Sequence, residues 1–80
     1  MLLMVNSQSI GGKKMNKMKF LRLSRGMKTW ELGVKVGCGE VYLNTVENER
    51  TKASPSLLEK IAKELGTSVE KLFERAEIKD

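Results

Sequence analysis

The chain has 80 residues, 40% of them hydrophobic and 31% charged, and a net charge of +5. It lacks histidine and has a single cysteine, which excludes Ser-His-Asp and Cys-His catalysis, Cys/His zinc sites and disulfides within one chain. This length makes one domain with one small core, burying ~60–65% of the surface that the unfolded chain exposes, with no room for a catalytic domain beside a binding domain.

In chain order, Met1 to Gly12 are uncharged, show no clean period and end in Gly11-Gly12. They read as a flexible arm (1–12), with a short extended piece at Met1 to Val5 as one option and Met15 as an alternative start of the domain. The Met1 to Val5 run is too short for a signal-peptide core and no basic residue precedes it. No apolar run approaches the ~20 residues of a membrane span, so a cytosolic protein without membrane contact is expected. From Lys13 the pattern turns helical. Met15, Met18, Leu21 and Met27 fall on one face as core filler, and Gly26 is a natural stop. Thr29 is placed to cap a second helix to about Val36, broken by Gly37-Cys38-Gly39. A third helix is expected from about Gly39 to Glu47, with Leu43 and Val46 inward, followed by a polar loop, Asn48 to Ser54.

Ser56-Leu57-Leu58-Glu59, with Pro55 just before it, reads as a capping box that opens the fourth helix. Leu57, Leu58, Ile61, Ala62 and Leu65 form its apolar stripe, and Gly66 ends it. Thr67-Ser68-Val69-Glu70 reads as a second capping box, opening a fifth helix with Val69, Leu72 and Phe73 that fades near Ala76. Residues 13–76 form the domain and 77–80 a charged tail. Nothing alternates as a strand over more than a few residues, so the expectation is all-α, a compact bundle of five short helices.

The charge is unevenly spread. Residues 13–52 hold ten Lys/Arg against four Glu, whereas residues 53–80 hold five against six acids. A basic excess confined to one stretch favours a polyanionic partner, with plain solubility as the bland alternative.

Arg25-Gly26-Met27, Glu31-Leu32, Gly37, Leu43 and Val46-Glu47-Asn48, followed by Ser56-Leu57, Ile61-Ala62, Leu65-Gly66 and Val69 to Phe73, resemble the phage-repressor helix-turn-helix domain, the Cro/cI-like or XRE family. The resemblance runs from about Met18 to Phe73 and implies a lambda-repressor-like DNA-binding domain. Two short helices joined by a three- to four-residue turn containing Gly cross steeply, and the second fits the DNA major groove. The family pattern implies that Glu40, Val41, Asn44 and Thr45 face the bases. Asn can bond adenine in bidentate fashion, Val41 can meet a thymine methyl, and Glu40 either accepts from cytosine or is simply a helix-start acid. Lys28 and Thr29 at the start of the second helix, Tyr42, and Asn48, Arg50 and Lys52 after the third are the implied phosphate contacts. For Tyr42 the alternative is a ring lying half over the core. Arg22 and Glu47 occupy positions of an implied structural ion pair.

The sequence departs from that pattern at Gly39, where Ser or Thr usually caps the recognition helix; at Glu49, where Gly usually follows the Asn; at Gly33, where Ala is usual; and in a longer loop to Pro55. Trp30 stands where the family has a polar residue and is expected to pack partly over a neighbouring helix. Cys38 is expected to be a small buried plug in the turn.

The leading expectation is a sequence-specific, repressor-type regulator binding double-stranded DNA as a homodimer on a palindrome, with half-sites ~34 Å apart. It needs no cofactor or metal. The alternative is an interaction module on the same fold, antitoxin- or adaptor-like, with a protein partner and weak or lost DNA binding. An enzyme is not expected, because there is no nucleophile–base pair and no phosphate loop. Leu72, Phe73 and Ile78 are the expected dimer surface, with Phe73 closing the bundle as the alternative.

Overall fold

The computed structural model describes residues 14–77, so the 1–12 arm and Ile78 lie outside the described residues. The elements run β1 (Lys14–Asn16), α1 (Lys17–Ser24), α2 (Thr29–Val36), α3 (Glu40–Glu47), α4 (Pro55–Leu65), a 3-10 turn (Val69–Lys71) and β2 (Arg75–Glu77). The fold is mostly helical, as expected, but its two ends differ from the five-helix reading.

At the front, α1 begins at Lys17 rather than Lys13. Asn16 caps it, its Oδ1 accepting from the Lys19 N–H at 3.0 Å. An Asn cap satisfies one of the donors that a helix start leaves open. Met15 therefore leaves the helix face and sits half-buried in a strand. At the back, the fifth helix is reduced to the 3-10 turn, and the chain then extends into β2. The two strands pair antiparallel, Lys14 with Glu77, Met15 with Ala76 and Asn16 with Arg75. Lys17 and Met18 donate their backbone N–H groups to the carbonyls of Glu74 and Leu72, both at 2.8 Å. These bonds occupy the open donors of α1's first turn. Such pairing is dictated by tertiary partners, which a three-residue strand does not announce by alternation.

The core joins Met18 of α1, Leu32 and Val36 of α2, Leu43 and Val46 of α3, Ile61, Ala62 and Leu65 of α4, and Leu72. Leu72 is fully buried and Phe73 packs against the core. Leu72 is thus not available to the dimer surface expected of it, because this stretch closes the bundle. Met27 and Cys38 also pack on the core, half-buried. Three helices stop at glycines in left-handed geometry, Gly26, Gly37 and Gly66, with φ of 65°, 82° and 70°. That region costs a residue with a Cβ ~1–2 kcal/mol.

The start of α4 corrects a second expectation. Its cap is Ser54, whose Oγ accepts from the Leu57 N–H at 3.2 Å, and Pro55 is the first helical residue. Proline suits that position because its missing N–H would have had no intrahelical acceptor. Ser56 lies inside the helix. Ser54→Ala should lower stability by ~1 kcal/mol, and Ser56→Ala should leave it within ~0.5 kcal/mol. Thermal melts of the two variants test this, and a larger loss at Ser56 than at Ser54 would be incompatible with it. Thr29 likewise does not cap α2. Lys28 is the cap residue, and its N–H donates to the Glu31 carboxylate at 2.8 Å.

Candidate nucleic-acid interface

α2, the turn Gly37-Cys38-Gly39 and α3 form two helices of eight residues joined by three. The turn is tight because Gly33 O accepts from both Gly37 N, at 2.8 Å, and Cys38 N, at 2.9 Å. The Cys38 carbonyl comes so near that a Cβ on Gly33 would stand 2.6 Å from its oxygen. Gly33 thus permits close approach of the turn backbone, although glycine costs ~1 kcal/mol in helix propensity. Cys38 is half-buried rather than a fully buried plug, and burial pushes its thiol above the ordinary range, away from the reactive thiolate.

α3 divides cleanly into two faces. Leu43, Val46 and Glu47 are buried. Glu40, Val41 and Asn44 are exposed, Val41 at 81%, and Thr45 is half-buried beside them. The spacing 40, 41, 44, 45 and 48 returns to one side of a helix of 3.6 residues per turn, so the four predicted base-facing residues and Asn48 share that side. The Thr45 hydroxyl donates to Val41 O at 2.9 Å, which leaves its lone pairs, rather than its proton, for a ligand. Tyr42 is 43% exposed. Gly39 caps the helix by backbone alone, and Glu40 in the first turn suits the positive end of the dipole.

Two further groups of polar and basic residues stand at the start of α2 and just after α3. Lys28 is exposed and Thr29 half-buried where α2 begins. Beyond α3, Asn48, Arg50 and Lys52 are all exposed. The α3 end is closed by bonds from Glu49 N to Val46 O and from Arg50 N to Thr45 O, both at 3.0 Å. This is the paired closure that places a left-handed residue just past a helix. Here that residue is Glu49, at φ 60°, the one non-glycine with positive φ among the described residues.

Under this face, Arg22 Nε donates to Glu47 Oε2 at 2.8 Å and Arg22 Nη2 to Glu47 Oε1 at 3.0 Å, a bidentate pair. Arg22 Nη1 also donates to Met27 O at 2.7 Å. Both side chains are almost fully buried. The pair joins α1 to the end of α3, and the bond to Met27 fixes the chain leading into α2.

The sequence reading missed a second polar cluster. Asn16, itself buried, donates its Nδ2 to Glu47 O at 2.7 Å and to Glu49 Oε2 at 3.0 Å. Arg75 Nη1 donates to the same Glu49 oxygen at 2.6 Å. The hydrogen bond from Asn16 and then that from Arg75 hold the Glu49 carboxyl below its usual range. With Met15, Lys19 and Asn48, these residues line an open cleft of about 500 Å³. The only local signal was the Asn cap before α1. Arg75 reaches Glu49 through β2, which local patterning did not reveal.

Trp30 and Val34 stand out of α2 at 50% and 73% exposure, so Trp30 is about half covered. Among the described residues no group of His, Cys, Asp and Glu is arranged to hold a metal ion, and no helix is long and apolar enough to cross a membrane.

The helix-turn-helix family model matches residues 18–72, covering α1 through Leu72. The chain belongs to the XRE-type helix-turn-helix family of DNA-binding transcription regulators. Solved structures of similar fold include the clp gene regulator ClgR from Corynebacterium glutamicum, at 27% identity and TM-score 0.64 over 70% of this chain and 60% of that one. SinR in its complex with SinI is 33% identical, with TM-score 0.64 over 71% of this chain and 56% of that one. SinR in complex with DNA is 34% identical, with TM-score 0.62 over 69% and 89%. The chain thus spans about 60% of the ClgR chain and 56% of the chain in the SinR–SinI complex. No curated protein sequence matches it significantly.

Proposed function

We propose that this XRE-type domain binds double-stranded DNA with α3 in the major groove and acts as a repressor-type transcription regulator, as a homodimer on a palindromic site. The observation that carries this is the two-faced α3. Its buried side is fixed to the core by Leu43, Val46 and Glu47, while Glu40, Val41, Asn44 and Thr45 present their outer side to solvent. A helix held proud in this way has the width of the groove, and Asn44 has the donor and acceptor to read adenine. Lys28 and Thr29 at the start of α2, and Asn48, Arg50 and Lys52 just after α3, supply the phosphate contacts that set its register, with the Tyr42 hydroxyl as a further donor. The DNA complex of the similar SinR supports the same role here. No catalytic step belongs to this reading, and a cytosolic location goes with it.

A protein partner is the second reading, favoured by exposed Trp30 and Val34 and by the SinR–SinI complex among the structural neighbours. The test is a titration against DNA upstream of the chain's own gene and a scrambled duplex, at several salt concentrations. Specific binding with a steep salt slope is expected. Asn44→Ala should cost ~1–3 kcal/mol on the specific site and little on the scramble. Arg50→Gln should weaken both duplexes alike and reduce the salt slope by ~0.9. Absence of binding at low salt overturns the DNA reading and leaves the protein partner.

A further inference from the structure

We infer that Asn16, Glu49 and Arg75 form a positioning cluster for the phosphate-contacting segment 48–52, so that Glu49 strengthens DNA binding in spite of its negative charge. This rests on the DNA-binding reading above and assigns a role to residues that make no DNA contact in it.

The position of Glu49 is doubly unfavourable. Its φ of 60° is one that glycine adopts freely and a side chain resists. Its carboxylate also stands between Asn48 and Arg50, where an approaching phosphate would be repelled. What the carboxylate supplies is attachment. One oxygen accepts from Asn16 Nδ2 and from Arg75 Nη1, at 3.0 and 2.6 Å. Asn16 is 4% exposed and cannot swing away, since its Oδ1 caps α1 and its Nδ2 also holds Glu47 O at the end of α3. Arg75 is set by its place in β2, opposite Asn16 in the ladder. Two strands and the start of a helix therefore converge on one side chain in a segment that lacks regular structure.

A segment fixed before binding loses less conformational freedom on docking. Asn48 and Arg50, the neighbours of Glu49, gain most from that fixing, and Lys52 follows two residues on. Electrostatics and positioning predict opposite signs for removal of the charge. A bystander anion beside a phosphate-binding loop weakens DNA affinity, so neutralising it strengthens binding. A positioning anion does the reverse.

The experiment measures DNA affinity and salt slope for the full chain and for Glu49→Gln, Arg75→Gln, the double variant and Arg75→Lys, with a thermal melt of each. Glu49→Gln is expected to bind the specific duplex about 3- to 10-fold more weakly, with a shallower salt slope, while still melting cooperatively. Arg75→Gln should fall by a similar factor. The double variant should be no weaker than either single one, because groups acting as a unit are not additive. Arg75→Lys should recover part of the loss. Tighter or unchanged binding by folded Glu49→Gln overturns the positioning role and leaves the DNA reading standing. Fully additive losses in the double variant also overturn it, since they assign Arg75 an independent phosphate contact. Failure of the unaltered chain to bind any duplex removes the DNA reading, and this inference with it.

Discussion

Glu47→Ala is expected to lower stability by ~3–5 kcal/mol. The Glu47 side chain is 2% exposed and meets Arg22 in two charge-assisted bonds. Removing it leaves a guanidinium that water cannot reach, with only Met27 O as partner. A domain of 80 residues is held by ~4–12 kcal/mol in all, so the loss approaches the whole of a marginal stability. It should show as a fall in melting temperature of ~4–8 °C per kcal/mol. The companion double variant Arg22→Met/Glu47→Leu removes both charges and fills the space with apolar groups. It should be far less damaged than the single variant, because no buried charge remains without a partner. Equal losses in the two would show that packing, not the uncompensated charge, is the cause.

Gly33→Ala is the second large effect, and it sets two forces against each other. Alanine in a helix interior is favoured over glycine by ~1 kcal/mol. Its Cβ, however, would lie 2.6 Å from the Cys38 carbonyl oxygen. That oxygen is backbone rather than the far end of a flexible side chain, and the preceding peptide is held by the Cys38 N–H bond to Gly33 O, so it cannot turn aside without moving the turn. The clash should outweigh the propensity gain, for a net loss of ~1–3 kcal/mol by urea denaturation. Opening the turn also tilts α3 against α2, so the surviving folded protein should bind DNA less tightly. A stabilised Gly33→Ala protein would mean that the turn shifts at little cost.

The helices were legible in the sequence wherever spacing and stop signals agreed. α2, α3 and the end of α4 fall where Leu32/Val36, Leu43/Val46 and Gly66 put them, and at Gly37 and Gly66 a glycine in left-handed geometry ends the helix by local sterics alone. Caps were less legible, since Ser54 and Ser56 both precede an apolar run and only the backbone decides which oxygen meets the open N–H. The ribbon was illegible for a different reason. Lys14–Asn16 and Arg75–Glu77 are strands only because they find each other and because Leu72 and Glu74 accept from the start of α1. Of the candidate interface, the outward side of α3 was legible from period 3.6. The strain at Glu49 followed from a side chain standing where glycine is usual, but what tethers it was not, since Asn16 and Arg75 lie 33 and 26 residues away.

The β1–β2 ladder has a kinetic consequence. Pairing Lys14 with Glu77 closes a loop of about sixty residues, and the entropy of closure grows with the logarithm of loop length. The α2–α3 and α4 contacts close far shorter loops, and such local contacts form early. The ladder belongs to the late part of folding, after the helical core has drawn the two ends together. Interactions made late govern how fast a native protein comes apart more than how fast it forms. The short ribbon of Lys14–Asn16 and Arg75–Glu77 is therefore the clasp that sets the lifetime of the folded state.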